Sequence, residues 1–219
     1  MRTVVDNLDL LLEGLLITLQ LSAVIILLGT AIGVLGGLGL LYGRRWLLAL
    51  IRLYVDVVRG TPVLVLIFLT YFVLPELVPA VEVELSGFQA VTIALSFFAG
   101  AHVSEIVRGA VAVVPNAQTD AAKSLGLTFW PRIQYVILPQ ALPAILPPWI
   151  NTAIEMVKGT SLAALVSVGD LLQETQQVVE RTNDAMPLYI TAAAIYVVLN
   201  LAISRAGAWF ERRLSYASG

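Results

Sequence analysis

The sequence contains no cysteine, and only 13% of its 219 residues are charged. The lack of cysteine excludes disulfides, thiolate metal sites and cysteine nucleophiles. No HExxH pair and no GxSxG elbow is present, so the signatures of a zinc peptidase and of a serine hydrolase are missing. The phosphate-binding loop GxxxxGK[ST] is missing too, since the nearest string, VKGTS at 157–161, places its lysine before its glycine. We therefore expect a chain that is not an enzyme, holds no metal and has no ATP site of its own.

The low charge content goes together with long apolar runs. Hydrophobic residues make up 58% of the chain, and its mean hydropathy is +0.87, whereas a soluble domain carries about a quarter charged residues. Four long runs hold no formal charge: 14–43, 85–104, 133–154 and 185–204. Each is long enough for a membrane-spanning helix, which needs roughly 20 apolar residues.

A fifth apolar run, 60–75, is too short to span alone, since it covers roughly 24 Å of a ~30 Å hydrocarbon core. It reaches across if its helix begins near Val55. We predict an all-α polytopic membrane protein with a single domain over residues 1–219 and five spans. The predicted spans are about 14–42, 55–77, 87–109, 138–157 and 187–209. Residues 159–186 are expected to form a hairpin or short helices on the outer side.

Basic residues predict the orientation of these spans, because lysine and arginine gather on the cytoplasmic side of a membrane. Most of the basic residues fall in three zones: between spans one and two, between spans three and four, and after span five. Five spans place all three zones on one side, with the N-terminus outside and the C-terminus in the cytoplasm. A four-span arrangement would put the basic zones on opposite sides, so we reject it.

One segment between spans three and four does not look like membrane. Residues 119–140 read TDAAKSLGLTFWPRIQYVILPQ. Asn116 or Thr119 is expected to cap a short helix that ends at Ser124, and Gly126 suits the position after a helix, where positive φ costs glycine little. Thr128 is expected to cap a second short helix. The residues alone leave two interpretations open, a linker along the lipid headgroups and a docking element for a soluble partner.

The spacing within this segment resembles the EAA loop of permease subunits in bacterial ATP-binding-cassette (ABC) importers. That pattern is Glu-Ala-Ala, three residues, Gly, nine residues, then Ile-x-Leu-Pro. The chain has Asp120-Ala121-Ala122, Gly126 and then VILP at 136–139, all in register. It departs at Asp120, where the pattern has glutamate, and at Val136, where it has isoleucine.

Two further segments are similar to the polar amino acid uptake subfamily of these importers. They are DVVRGTPVLVLIFLTYFVLP at 56–75 and ILPPWINTAIEMVKGTSLAALV at 145–166. The resemblance covers roughly residues 10–213 and implies the type I ABC importer permease fold. It also implies a cytoplasmic coupling loop at about 115–137. The residues of that loop implied to contact the ATPase are Asp120, Ala121, Ala122, Ser124, Leu125, Gly126 and Leu127.

The same resemblance implies the partners. A second permease subunit, identical or homologous, completes the path, and two ABC ATPase subunits hold the ATP and Mg that this chain does not bind. An extracytoplasmic amino-acid-binding protein delivers the amino acid. The implied location is the bacterial cytoplasmic (inner) membrane, within the lipid bilayer. No nucleic acid partner and no cofactor on this chain are expected.

Ionisable groups at membrane depth are costly and are functional by default. Glu155 follows 22 uncharged residues, with Asn151 one turn earlier and Lys158 one turn later. Glu155 either meets the ammonium or a cationic side chain of an amino acid, as the resemblance favours, or pairs with Lys158. The remaining candidates for substrate contact are Thr61, Thr70, Tyr71 and Ser96.

Two other features have competing interpretations. His102 and Glu105 form either a hydrogen-bonded structural pair or part of a proton relay, and the relay would suit a proton-coupled secondary amino acid transporter that also uses Glu155. The sequence shows no internal repeat of the kind such transporters carry. Small residues at Gly29, Gly33 and Gly37 lie on one helix face, which suits close packing within the chain or between two copies.

Overall fold

The computed structural model describes residues 2–77 and 84–217. All regular structure in these residues is helical. Within these described ranges, nine helical segments follow one another: α1 (Arg2–Asp6), α2 (Leu8–Tyr42), α3 (Arg45–Gly60), α4 (Val63–Leu77), α5 (Gly87–Ala112), α6 (Asn116–Ser124), α7 (Phe129–Val166), α8 (Leu171–Thr182) and α9 (Ala185–Ala217).

Four of these segments, α2, α5, α7 and α9, are long and apolar enough to cross a membrane. The pair α3 and α4 passes the same test only when taken together, which brings the number of spans to as many as five. This agrees with the predicted all-α polytopic architecture.

The predicted helix over 55–77 is wrong as a single helix. The chain bends by 110° between α3 and α4, because Pro62 disfavours helical backbone at Thr61, and its ring nitrogen has no hydrogen to donate. Beyond the bend, α4 has 15 residues and covers roughly 22 Å, which is less than the ~30 Å hydrocarbon core. The part of the prediction before Thr61 belongs to a different helix, α3, with a different direction.

Proline also shapes the other helices. The backbone widens from α-helical to π-helical turns at Leu69–Val73 and at Ile133–Ile137. Each of these turns ends two residues before a proline, Pro75 or Pro139. A proline cannot donate the hydrogen bond that an α-helix needs at that point, and a wider turn lets the helix continue. α7 then runs on through Pro143, Pro147 and Pro148.

The centre of the bundle is the packing of α2 against α5. Gly29, Gly33 and Gly37 are buried, and they face the α5 residues Ala99, Val103 and Val107 in turn. A β-carbon added at Gly37 would lie 2.6 Å from Cβ of Val107 and 2.8 Å from the carbonyl oxygen of Ser104. The glycine face thus packs within the chain, and the interpretation as a contact between copies is not supported.

Residues 159–186 form short helices, as predicted. A 3₁₀ turn at Thr160–Val166 closes α7, and α8 follows. Asp170 caps α8 by accepting a hydrogen bond from the backbone N–H of Gln173 at 3.0 Å. Ser167 and Asn183, on either side of α8, take left-handed backbone conformations with φ of 58° and 54°, which let the chain turn sharply at both ends of the helix.

The glycine packing can be tested by substitution. Gly37→Leu should lower the stability of the purified chain by about 1–3 kcal/mol, because the backbone of Ser104 cannot move away from the new side chain. Gly109→Ala is the matched control, since a β-carbon at Gly109 meets nothing within 4 Å. Thermal unfolding in detergent, followed by fluorescence-detected gel filtration, measures both. A Gly37→Leu variant as stable as the control would contradict the assigned role of this face.

Candidate functional site

The segment between α5 and α7 forms the exposed helix α6. Its helical residues begin at Asn116, directly after Pro115, whose backbone is extended with φ −57° and ψ 135°. The predicted side-chain cap from Asn116 or Thr119 is wrong, because both residues lie inside the helix. The predicted end at Ser124 is confirmed.

The C-terminal end of α6 is closed by the predicted glycine. Gly126 has φ +78°, and its N–H donates to the carbonyl oxygen of Lys123 at 2.9 Å. The N–H of Leu127 donates to the carbonyl oxygen of Ala122 at 3.0 Å. Together these two bonds form a Schellman motif, which satisfies carbonyls that the end of a helix leaves unpaired.

The helix presents a small, well-defined outer surface. Ala122 is buried against the protein, whereas Asp120, Ala121 and Ser124 are exposed. Leu125 protrudes at the end of the helix with 81% of its surface exposed. The carboxylate of Asp120 accepts a hydrogen bond from Lys123 at 3.3 Å. The outer face of α6 therefore consists of small side chains, one carboxylate and a single protruding leucine.

The start of α7, directly after α6, packs against two other spans. Phe129, just after α6, meets the ring of Tyr42 at the end of α2 edge-on, with the ring centroids 5.1 Å apart. Ile133 and Ile137 are buried in one apolar cluster with Val107 and Val111 of α5. A displacement of α6 that moves the start of α7 would therefore reach α2 and α5 through packed side chains.

The ionisable residues of α5 are arranged differently from the prediction. Glu105 accepts hydrogen bonds from Arg52 of α3 at 2.8 Å and from Arg108 at 2.6 and 2.9 Å. The ring nitrogen Nδ1 of His102 instead lies 3.0 Å from the carbonyl oxygen of Phe98. The predicted pair of His102 with Glu105 is wrong, since the two arginines occupy the carboxylate. Arg59 lines the same open cavity of about 440 Å³ as His102 and Glu105.

The candidate substrate residues lie in three different environments. Glu155 and Asn151 are exposed, one turn apart on α7. Thr61 and Thr70 donate hydrogen bonds to backbone carbonyls of their own segments, each at 2.8 Å. Both threonine hydroxyls therefore already donate their hydrogen to the protein backbone.

The other two candidates are more enclosed. Tyr71 packs against the apolar cluster around Leu95, and Ser96 is buried with no hydrogen-bond partner for its hydroxyl. The described residues form no hydrogen-bonded network that joins these two with the other four. Within the same part of the chain, no ion pair forms between Glu155 and Lys158 within 4 Å.

A buried polar network at the opposite end of the bundle was not predicted. Asp170 is fully buried, and its second carboxylate oxygen accepts a hydrogen bond from Tyr196 at 3.1 Å. The hydroxyl of Thr18 accepts one from the backbone N–H of Leu171 at 3.0 Å. Burial raises the pKa of Asp170 to about 6. The sequence signal was an Asp before a polar helix, which predicts an N-cap but not its burial.

The fold and the site define a membrane-embedded subunit that carries an exposed, capped helix between two of its spans. Residues 18–216 match the family model described as the inner membrane component of binding-protein-dependent transport systems. The chain belongs to this family.

Individual relatives agree with this assignment. The chain is 35% identical over 199 residues to the probable amino-acid ABC transporter permease protein YckA of Bacillus subtilis, covering 89% of this chain and 84% of YckA. It is 33% identical to the glutamine transport system permease protein GlnP of Escherichia coli, covering 94% and 93%. A crystal structure of an amino acid ABC transporter with histidines superposes with a TM-score of 0.85 at 31% identity, over 97% of both chains. The chain thus has the type I ABC importer permease fold.

The buried carboxyl of Asp170 predicts a pH dependence of stability. Its pKa in the folded chain is about 6, above the ordinary value near 3.9. The carboxyl therefore keeps its proton up to a higher pH in the folded state than in the unfolded state. The free energy of unfolding should therefore fall as pH rises from 4 to 7, by up to about 3 kcal/mol from this group.

Asp170→Asn keeps an oxygen for the cap and removes the titration. Thermal unfolding of both proteins from pH 4 to pH 7 isolates the effect as the difference between their pH profiles. The variant should lose stability less steeply than the parent chain. Parallel profiles would show that Asp170 does not titrate in this range.

Proposed function

We propose that the chain is the permease subunit of an ATP-driven importer of polar amino acids in the bacterial cytoplasmic membrane. It provides half of the translocation path and receives the energy of ATP hydrolysis through α6. The observation that carries this proposal is the exposed, Schellman-capped α6, which bears the EAA-type spacing in a chain of this family. The named functions of its relatives support an amino acid as the cargo.

The coupling step follows from the build of α6. Leu125, Ala121 and Asp120 form its outer face, and a groove on an ATPase subunit would take up the apolar side chain of Leu125. The main-chain bonds at Gly126 keep the helix end rigid, and Ile133 and Ile137, at the start of α7, would pass its movement to α5. Rigid-body movement of this kind suits alternating access around a central site.

The energy must come from a partner, because the sequence has no phosphate-binding loop. Two ABC ATPase subunits would bind the ATP and Mg, and their closure would bring two coupling helices together. This assigns α6 to the cytoplasmic side, with the N-terminus of the chain outside. Basic residues in the loops on that side agree with this orientation.

Gly126→Pro and Asp120→Arg test the coupling role. The proline removes the N–H that donates to Lys123 and cannot take up φ +78°, while the arginine reverses the charge on the outer face. Both variants should insert into the membrane but lose co-purification of the ATPase and ATP-driven uptake.

Glu84→Arg is the matched control for the charge change, since Glu84 is exposed at the opposite end of α5. Uptake and ATPase co-purification should both be retained in this control. Normal uptake in both α6 variants would refute the coupling assignment.

The substrate path is proposed to run along the exposed face of α7. Glu155 lies within a segment that spans the membrane, yet it is exposed in the single subunit and has no ion-pair partner within 4 Å among the described residues. A carboxylate facing lipid there would be very unfavourable. We infer that this face meets a water-filled path shared with a second permease subunit, identical or homologous.

In that path Glu155 would bind the ammonium or the cationic side chain of the amino acid, with Asn151 one turn away. Thr61, Thr70, Tyr71 and Ser96 remain candidates for the wall of the path. An extracytoplasmic binding protein would deliver the amino acid, as the family description implies for the transport system.

Glu155→Gln tests the substrate contact. Removing the charge should raise KM for a cationic amino acid by about tenfold or more, since a charge-assisted hydrogen bond contributes about 1.5–3 kcal/mol. Uptake of labelled arginine by the complete transporter in vesicles measures this, normalised to the amount of complex. Glu180→Gln, an exposed position on α8, is the control. Unchanged KM and rate in Glu155→Gln would remove this residue from the substrate site.

A further inference from the structure

Helix α3 (Arg45–Gly60) is set crosswise in the bundle. It meets α4 at 110°, and two long side chains show how it crosses α5. Arg52 reaches Glu105, while Tyr54, on the other side of α3, donates a hydrogen bond to the carbonyl oxygen of Phe97 at 2.6 Å. Two residues of α3 thus reach points eight residues apart on α5. α3 therefore crosses the spans and lies roughly in the plane of the membrane.

The contacts of α3 with α2 show how deep in the membrane α3 lies. Val55 is fully buried and packs with Leu40, and Ile51 lies against Gly36 and Gly39. These α2 residues lie within about 10 Å of the end of α2 at Tyr42. α3 is therefore near one boundary of the membrane, at the end of the bundle that carries α6.

Two faces of α3 bear on its place in the membrane. Its exposed apolar stripe consists of Trp46, Leu50, Leu53 and Val57, each more than half exposed. Their spacing of four, three and four residues places them on one side of the helix. They lie on neither the buried side of Val55 nor the side of Arg52.

The second face is a row of arginines at seven-residue spacing: Arg45, Arg52 and Arg59. Seven residues are close to two helical turns, so the three share one side. Arg52 donates to Glu105 in the C-terminal half of α5, and Arg59 lines a cavity with Gly109 and Val113. The row therefore faces the near end of the bundle, whereas Tyr54 points toward the middle of the membrane.

This combination fits a bilayer boundary. Interfacial helices bury an apolar face in the acyl region and direct basic side chains to the headgroups. Arg52 is engaged by Glu105, but among the described residues no carboxylate lies within 4 Å of Arg44, Arg45 or Arg59. These cations are available to anionic groups outside the chain.

We propose that α3 is an interfacial helix that binds anionic phospholipids of the leaflet on the α6 side. Trp46, Leu50, Leu53 and Val57 lie among the acyl chains, and Arg45 and Arg59 bind lipid phosphates. The Arg52–Glu105–Arg108 cluster holds the helix against α5 at this depth. The proposal is independent of the identity of the transported amino acid.

The absence of cysteine makes a direct test of depth possible. Single cysteines at Leu50, Leu53 and Asp56 are spin-labelled in the complete transporter, reconstituted in vesicles of phosphatidylcholine and phosphatidylglycerol. The labels at 50 and 53 should be accessible to oxygen and shielded from a water-soluble nickel chelate. The label at exposed Asp56 should be more accessible to the chelate.

Two outcomes would overturn this placement. Labels at 50 and 53 that neither reagent reaches would show that protein, such as the second permease subunit, covers the stripe. Labels that the nickel chelate reaches freely would show that the stripe faces water.

The lipid preference is tested with Arg45→Gln/Arg59→Gln. Native mass spectrometry of the complete transporter, released from mixed lipid micelles, gives the ratio of bound phosphatidylglycerol to phosphatidylcholine. This ratio should fall by about fivefold or more in the double variant. It should recover in Arg45→Lys/Arg59→Lys, because lysine restores the positive charge that attracts the anionic headgroup. Arg2→Gln/Arg181→Gln, at exposed positions elsewhere, is the control. An unchanged ratio in the first variant would refute the arginine row as a lipid site.

Discussion

The close contact between α2 and α5 is the interaction on which the rest of the bundle depends. Gly29, Gly33 and Gly37 bring the two backbones so near that α5 side chains fill the space where β-carbons would lie. In lipid, where apolar surface gains nothing by leaving water, such van der Waals contact is a main source of helix association. α3 then crosses this pair near one end, and α8 closes it at the other, where Gly14 makes room for Asp170.

A second constraint is that buried backbone groups need hydrogen bonds at membrane depth. The chain has many prolines in its spans and accommodates them in different ways. At Pro62 the helix ends and restarts in a new direction, whereas before Pro75 and Pro139 it widens for one turn and continues. The second of these wide turns lies directly between α6 and the long part of α7. Any movement of α6 would thus enter α7 at a point where the backbone hydrogen bonding of α7 is irregular.

Charged groups in the bundle serve mainly to join helices. Glu105 connects α3 to α5 through Arg52 and also accepts a hydrogen bond from Arg108 of its own helix, and Asp170 connects α8 to α9 through Tyr196. Both carboxylates are satisfied by partners from other segments, which buried or half-buried charges require. Glu155 differs, since it is exposed in a span and has no ion-pair partner within 4 Å among the described residues. That contrast is the physical reason for separating it from the structural ion pairs and for proposing that it faces the path.

Reading the sequence was enough to predict the membrane class, four of the five spans, the short helices after α7 and the end of α6 at Ser124 with Gly126 behind it. These follow from run length and from local backbone preferences, which act within a few residues. Three features came from the three-dimensional structure alone: α3 lies crosswise, Glu105 pairs with Arg52 and Arg108 rather than His102, and Asp170 is buried. Each of these depends on which distant segments meet, and apolar length or local spacing holds no information about such contacts. The direction of a helix after Thr61-Pro62 is likewise set by what it packs against.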